Sequence, residues 1–280
     1  MIYFILGLFL GSLVNNIAYR LVRNQNFISD SSRCDYCQKK LSWYELIPII
    51  SYVIQLGQCR NCKNKISIRY PLTEITIGLL TYKIAEKSLI LLSFNIYNLL
   101  FFLYFLTIIL LFFILVLYDL ETFYIEEKIV YLSLLSWLMF IFIFYYLKVF
   151  PQINFFNFFD YFFYLPQLNV KDYALNRLYF AFVISLSILI LFVITLGKGI
   201  GLGDVKLFFI LGLYFNFGDL LFTSLITILI GGLFSLIILI KKRKFKQAIP
   251  FGPFIFLGLF VTILIGDDLS RIIAKNLTII

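Results

Sequence analysis

Long apolar runs, separated by short polar segments, occupy most of the 280 residues of the chain. Several runs approach or reach the roughly 20 residues that a helix needs to cross a bilayer. We therefore predict eight membrane helices, near residues 2–19, 71–87, 96–118, 129–147, 177–196, 205–217, 220–240 and 250–266. The second and sixth are the weakest, because charged residues interrupt the second and Gly218-Asp219 ends the sixth early.

The composition is that of a membrane protein. Hydrophobic residues make up 62% of the chain and charged residues only 14%, whereas soluble domains average about a quarter charged. The apolar N-terminus lacks a basic first segment and a small-residue cleavage site, so we interpret it as a retained first helix and not as a secretory signal. We predict an all-α polytopic membrane protein in three parts: a first transmembrane helix at 1–19, a polar domain at 20–70, and a membrane-embedded domain of about seven helices at 71–280.

The positive charges are distributed as in a membrane protein of defined orientation. Seventeen Lys and Arg residues fall on one side of the predicted helices and seven on the other, and the more basic side faces the cytoplasm. This places the N-terminus outside and the 20–70 domain inside. The segment 148–176, poor in basic residues, is then an external loop. The net charge of +9 does not indicate nucleic-acid binding, because no basic face on a soluble domain is predicted.

All four cysteines lie in the polar domain as two CxxC pairs, Cys34 with Cys37 and Cys59 with Cys62, separated by 21 residues. Two such turns can close a tetrahedral site of four thiolates, the arrangement of structural zinc. Disulfides are an alternative, but a cytoplasmic loop is reducing, and a redox role would use one CxxC in a βαβ setting. We predict structural zinc at these four cysteines, with no open position for hydrolysis.

Two aspartates mark the edges of apolar runs. The chain contains no histidine, which excludes Ser-His-Asp and Cys-His catalysis and imidazole metal sites. Asp119 directly follows one apolar run, and Asp204 lies between two others in Gly199-Ile-Gly-Leu-Gly-Asp204; the charge distribution puts both on the cytoplasmic side. Ionisable groups at such depth tend to line polar cavities and carry function. If the two carboxyls meet, they can share a proton, one acting as base on a water and the other as acid toward a carbonyl.

The residues around Asp204 allow two interpretations. Gly199, Gly201 and Gly203 permit positive φ and let a substrate backbone approach closely, or they form a flexible turn beside one interfacial aspartate. Lys206 either acts electrostatically on Asp204 or is a positive-inside residue that reaches the interface.

Other polar residues in or near the apolar runs allow two interpretations. Glu74 either faces the catalytic cavity or satisfies an interfacial partner at the start of its helix. Asn15 and Asn16 either bond between helices or contact substrate. We expect five further aspartates to be solvated loop charges: Asp160, Asp172, Asp219, Asp267 and Asp268.

Several motifs, in order along nearly the whole chain, resemble those of the type IV prepilin peptidases, bifunctional leader peptidase and N-methyltransferase enzymes of the GxGD aspartyl protease class. Gly201-Leu-Gly-Asp-Val-Lys-Leu207 matches the GxGD signature. The other matching segments are Gly7-Leu-Phe-Leu-Gly-Ser-Leu-Val-Asn15, Trp43-Tyr-Glu-Leu-Ile-Pro48 between the cysteine pairs, Ile66-Ser-Ile-Arg-Tyr-Pro71 after them, and Ile249-Pro-Phe-Gly-Pro-Phe254.

The resemblance implies an eight-helix membrane bundle with a cytoplasmic zinc-ribbon-like loop, and catalytic aspartates at Asp119 and Asp204. Supporting residues are Gly201, Gly203, Lys206 and Glu127. The chain departs from the family at one point: an Ile-Pro-Asp turn usually follows the first aspartate, and this chain has Ile125-Glu126-Glu127. Glu127 keeps the acidic group while the proline is lost.

The expected activity follows from the same resemblance. It implies cleavage of type IV prepilins or pseudopilins after a glycine, at the cytoplasmic face of the bacterial inner membrane. The new N-terminal residue would then be methylated from S-adenosylmethionine, although no motif identifies the methyl-donor site.

Three other classes of protein remain open. A transporter would use the two aspartates as a proton or cation relay. A noncatalytic assembly factor would dock through the zinc loop. A presenilin-like intramembrane protease would share GxGD but would not call for the cysteine loop.

Overall fold

The structure is a computed structural model that describes residues 1–25, 32–92, 94–149, 170–196, 201–242 and 250–277. Within these ranges the chain forms nine α-helices and no β-strand, so the predicted all-α class is confirmed. The helices are α1 (Ile2–Val22), α2 (Ile50–Ile54), α3 (Arg69–Lys87), α4 (Ile96–Thr122), α5 (Glu127–Leu147), α6 (Val170–Ile194), α7 (Leu202–Tyr214), α8 (Phe217–Lys242) and α9 (Gly252–Leu277).

Eight of these helices correspond to the eight predicted membrane helices, and the short α2 belongs to the polar domain. Six of them are long and apolar enough to cross a membrane: α1, α4, α5, α6, α8 and α9. The other two, α3 and α7, are the second and sixth predicted segments. Charged residues lower the hydropathy of α3, and α7 has only 13 residues, so the two weakest predictions are also the two weakest spans.

The prediction of an external loop at 148–176 is wrong for its last part, because α6 begins at Val170; residues 150–169 lie outside the described residues. The first turns of α6 are polar in sequence, yet Tyr173 and Arg177 are buried. The Arg177 guanidinium lies 4.8 Å from the centre of the Tyr173 ring. Polar residues that face the interior of a bundle lower the hydropathy of a segment without ending its helix.

Two aspartates expected in solvated loops lie inside the bundle instead. Asp219 is 1% exposed in the first turn of α8, where the helix dipole favours a negative charge. Asp267 is buried in α9 and forms an ion pair with Lys87 of α3. Burial of a charge is tolerated where such partners offset the loss of water. Asp172 and Asp268 also lie in helices, and Asp160 lies outside the described residues.

Helix α4 is the centre of the bundle. Two thirds of its apolar window is buried inside the protein, against 28–50% for the other five spans. It packs against α1, α3, α5, α7 and α9. In its first half Tyr104 stacks on Tyr214 of α7, with ring centroids 4.8 Å apart, and in its second half Phe113 meets Phe256 of α9 edge-on. This packing sets the position of the last turn of α4.

Helices α1 and α3 approach each other closely because glycines line their contact. A Cβ on Gly7 would lie 2.7 Å from the Cα of Gly78, and one on Gly11 would lie 2.7 Å from the Cα of Glu74. Small residues let membrane helices pack at short backbone distances. The contact holds Glu74 against α1, next to the polar domain.

Candidate active site and metal centre

Asp119 lies in the last turn of α4 and faces the start of α9. Its side chain is buried, and its Oδ2 accepts a hydrogen bond from the backbone N–H of Gly252, 3.2 Å away. Gly252 is the first residue of α9, and the first N–H groups of a helix have no partner within it. A Cβ on Gly252 would lie only 2.6 Å from the Asp119 Oδ2, so a side chain at this position would displace the carboxylate from its hydrogen bond.

Asp204 is the third residue of α7. Its Oδ2 accepts a hydrogen bond of 2.9 Å from the backbone N–H of Gly201, and its own N–H donates to the Gly201 carbonyl at 3.1 Å. An acidic side chain that reaches back to the residue before the helix is one half of a capping box. The carboxylate is therefore oriented by local backbone geometry, and it is buried.

The structure brings the two aspartates together, as the sequence analysis required. Asp119 comes from α4 and Asp204 from α7, and their carboxyls are close enough for their charges to interact. Each is oriented by a backbone N–H at the start of a helix, where the dipole favours negative charge. Like charges held close cannot both ionise cheaply, so such a pair can provide one acid and one base. Catalysis by the pair stays a prediction.

The glycines of the GxGD segment have different local roles. Gly201 is extended, with φ −91° and ψ 159°, and Gly203 also has no positive φ, so the expected use of positive φ is not found at either; Gly199 lies outside the described residues. A Cβ on Gly203 would lie 2.7 Å from Cγ1 of Ile125. Gly203 thus lets the start of α7 pack against the turn that follows Asp119.

Lys206 and Glu127 are also brought together. The Lys206 ammonium forms an ion pair with the Glu127 carboxylate, which links α7 to the start of α5. The two side chains are 43% and 54% exposed. An ion pair this exposed contributes little to stability. It connects the two helices at the edge of the site and is not part of the buried centre.

The four cysteines form a cluster that could hold a metal, with all four Sγ atoms within 4.8 Å of one another. Cys34 Sγ and Cys62 Sγ are 3.8 Å apart. A tetrahedral zinc site with Zn–S bonds of about 2.3 Å needs S···S separations of about 3.8 Å. The geometry and the donor set fit zinc.

Two turns of the same design build this cluster. In each turn the backbone N–H of the first cysteine donates to a carbonyl on the far side of the turn. The carbonyl of the same cysteine accepts from the N–H of the residue that follows the second cysteine. That residue, Gln38 in one turn and Lys63 in the other, has positive φ. Backbone N–H groups that point at sulfur lower the pKa of Cys37 to about 7 and also lower the pKa of Cys59, whereas burial raises the pKa of Cys34 to about 11. Thiolate character is what a metal ligand needs.

The residues that join the cysteine domain to the aspartate pair were not predicted from the sequence. Glu121, two residues after Asp119, forms ion pairs with Arg23 at the end of α1 and with Arg69 at the start of α3. The signal was an acidic residue next to Asp119 on the side of the protein that carries the most basic residues. Gly252 was also missed as a partner of Asp119, although the resemblance included its motif.

Glu74 does not belong to the aspartate pair. It is 6% exposed and lines a cavity of about 1080 Å³ between α1, the start of α3 and the cysteine domain. Neither Asp119 nor Asp204 is among the described residues that line this cavity. The interpretation that Glu74 faces the catalytic cavity is therefore not supported.

Comparisons with known proteins agree on one family. Residues 5–87 match the family model of the bacterial peptidase A24 N-terminal domain, and residues 105–236 match that of the type IV leader peptidase family. A protein of Bacillus subtilis is 27% identical over 283 residues, which cover 98% of this chain and 97% of that protein. A protein of Pseudomonas aeruginosa is 27% identical over 300 residues, 95% of this chain and 90% of that protein.

A shorter and stronger match falls on part of the chain. A protein of Myxococcus xanthus is 42% identical over 79 residues, 28% of this chain and 24% of that protein. All three relatives are named prepilin leader peptidase/N-methyltransferase. No solved structure matches the chain.

Proposed function

The chain belongs to the type IV leader peptidase family, and from this premise we propose that it removes the leader peptide of type IV prepilins or pseudopilins. We further propose that Asp119 and Asp204 perform the cleavage and that the enzyme then methylates the new N-terminus with S-adenosylmethionine. The observation that carries the proposal is that both carboxyls are buried, that each accepts a hydrogen bond from an N–H at the start of a helix, and that their charges are close enough to interact.

In the proposed reaction one aspartate is ionised and the other protonated. The ionised carboxylate takes a proton from water as the water oxygen bonds to the peptide carbonyl carbon, and the protonated one donates to the carbonyl oxygen. The tetrahedral intermediate then breaks its C–N bond, and the amine leaves with the proton that the base took up. The aspartate that had donated its proton recovers one from a hydroxyl of the intermediate as the product carboxyl forms. The two groups titrate as a unit, so the roles belong to the pair.

The four cysteines would hold zinc in this protein. A site filled by four thiolates has no open position, so the metal supplies structural stability and not hydrolysis. The paired turns and their N–H···S bonds support this assignment. We infer that the polar domain at 20–70 depends on the metal for its fold, while the first helix at 1–19 and the membrane domain at 71–280 depend on the bilayer.

The chain is a multi-pass protein of the bacterial inner membrane, as its spans and its relatives indicate. We propose that the cysteine domain and the aspartate pair face the cytoplasm. Both lie at one end of the bundle, since Glu121 near Asp119 binds Arg69 at the start of α3, and this is the end with most basic residues. A pilin-type substrate with an apolar helix would then keep that helix in lipid while its leader reaches the pair.

Cleavage of a purified prepilin in proteoliposomes tests the proposal. We expect Asp119→Asn and Asp204→Asn each to abolish cleavage, because each removes one acid–base group. Asp268→Asn, at an exposed position of α9, is the matched control and should cleave like the wild type. Full cleavage by both active-site variants would contradict the proposal and would favour the alternative of a transporter that uses the pair as a proton relay.

A further inference from the structure

One cavity in the described part of the chain has no role in the proposed cleavage. Its volume of about 1080 Å³ lies at the upper end of the range for small-molecule sites. One wall is the cytoplasmic half of α1, a second is the start of α3, and the third is the cysteine domain, including Cys34 and Cys59. A cavity of this size has room for a cofactor together with the terminal residue of a peptide.

Glu74 is the buried acid of this cavity. Its Oε2 accepts a hydrogen bond of 2.8 Å from the backbone N–H of Ile49, and Ser12 of α1 hydrogen-bonds to the same carboxylate. Ile49 has φ 60° and ψ −51°, and the N–H of Ile50 bonds back to the carbonyl of Pro48. A β-branched residue at positive φ is strained and persists only where its surroundings hold it.

Three chemical kinds of lining residue bear on ligand binding. Tyr19 and Tyr70 present aromatic rings, Arg20 and Arg33 present cations, and Glu74 and Glu45 present carboxylates. S-adenosylmethionine carries a matching set: a flat adenine, an anionic carboxylate, and a cationic half made of an ammonium and a sulfonium. Aromatic faces bind flat rings and cations, and carboxylates pair with buried cations.

The cavity and the aspartate pair are separate but lie at the same end of the bundle. The link is Glu121, which follows Asp119 by two residues and binds Arg69, whose neighbour Tyr70 lines the cavity. A peptide cut at the aspartate pair therefore has its new N-terminus at the end of the bundle where the cavity lies.

We propose that this cavity is the binding site for S-adenosylmethionine, with the Glu74 carboxylate pairing with the cationic half of the methyl donor. The inference deepens the proposed function and depends on it for the identity of the ligand. The cysteine cluster then has a second consequence, because a metal bound there would hold one wall of the donor site.

Equilibrium dialysis of labelled S-adenosylmethionine against the full-length, zinc-loaded protein in nanodiscs tests this directly. We expect saturable binding by the wild type and binding at least about tenfold weaker for Glu74→Gln, because the loss of one partner of a buried charge pair weakens binding by that order or more. Glutamine keeps an oxygen that accepts from the Ile49 N–H, so a purely structural role of Glu74 would leave the affinity unchanged. Glu86→Gln, exposed at the other end of α3, is the control and should bind normally.

A second variant tests the position of the site without touching the acid. Asn16→Trp introduces a large side chain from α1 into the cavity and should abolish donor binding while metal content stays normal. Ultraviolet cross-linking of the bound donor should label peptides from residues 12–20 or 67–74. Wild-type affinity in both Glu74→Gln and Asn16→Trp, or labelling of peptides around Asp119 and Asp204 instead, would overturn the assignment.

The outcomes separate this inference from the proposed function. Cleavage by a wild-type protein that binds no methyl donor would defeat the cavity assignment and leave the peptidase proposal intact. Donor binding that depends on Glu74, in a protein that cleaves no prepilin, would support the cavity and defeat the peptidase proposal.

Discussion

The cysteine cluster and the aspartate pair both bring reactive groups together, but by different means. The cysteines lie within one short domain, and each pair is shaped by hydrogen bonds inside its own turn. The aspartates come from α4 and α7, and a third helix, α9, provides the N–H that orients Asp119. A local site depends on its own turns and its metal, whereas the assembled site depends on how three helices pack. Substitutions that alter packing should therefore damage the second and spare the first.

The largest effect of this kind is expected at Gly252. In Gly252→Ala the new methyl group would lie 2.6 Å from the Asp119 Oδ2, so the carboxylate must move. A misplacement of about 1 Å in an active site can cost about 100-fold in rate, and we expect prepilin cleavage to fall by that order while bound zinc is unchanged.

Gly232→Ala is the matched control for this change. It lies on α8, where an added Cβ would meet nothing within 4 Å, and alanine favours helix. Wild-type cleavage by Gly252→Ala, measured from the initial rate in proteoliposomes, would show that the Asp119–Gly252 contact does not position the pair.

Removal of the metal tests the local cysteine site instead of the assembled aspartate pair. Cys59→Ser should lose bound zinc, because all four thiolates are needed to close the site, and the polar domain should become sensitive to protease. We expect cleavage to fall by less than about tenfold, since the aspartate pair is held by membrane helices, and donor binding to be lost. Metal analysis, limited proteolysis and the two assays measure these effects. Undiminished zinc in this variant would argue against a four-thiolate site.

The two glycines before Asp204 should differ in their tolerance of alanine. A Cβ on Gly203 would lie 2.7 Å from Ile125 Cγ1, whereas one on Gly201 would find its nearest contact at 3.6 Å, on the Asp204 carboxylate. Overpacking of this kind costs typically about 1–3 kcal/mol, so we expect Gly203→Ala to cleave several-fold more slowly. Gly201→Ala should stay within about twofold of the wild type, because 3.6 Å is an ordinary contact. The reverse order of rates would mean that substrate contacts, and not the packing of α7, decide the need for glycine here.

The smallest effect is expected at the Lys206–Glu127 ion pair. Exposed ion pairs contribute about 0–1 kcal/mol, so Lys206→Ala and Glu127→Gln should each change the cleavage rate by less than about fivefold. The double variant should equal either single one, since both break the same contact. Loss of cleavage in Lys206→Ala with normal cleavage in Glu127→Gln would instead give Lys206 a direct part in the chemistry.

Hydropathy, charge and spacing predict a large share of this architecture. Apolar runs locate eight of the nine helices in the described residues, and the two CxxC pairs predict the cysteine cluster, because both signals are local. Asp119 and Asp204 were identified as partners because both lie at run edges on the more basic side, and the structure places them together. Their common catalytic role stays a prediction.

The remaining features depend on which face of a helix meets which neighbour, and hydropathy does not record this. Asp219 and Asp267 were expected in loops because they lie just outside the predicted apolar runs, but both are buried in the structure. The first turns of α6 were predicted as part of a loop, yet Tyr173 there is buried. The Glu74 cavity appears only when α1, α3 and the cysteine domain are assembled, because its lining residues are distant in the chain.

The most direct test of the central claim is a comparison of single-turnover cleavage rates for the wild type, Asp119→Asn, Asp204→Asn and the double variant. If the two carboxyls work as one acid–base unit, each single substitution should lower the rate by at least about a thousandfold, and the double variant should be no slower than either, because residues that act as a unit are not additive. A rate in the double variant that falls to the product of the two single effects would mean that the aspartates act independently, and it would contradict the shared-proton pair.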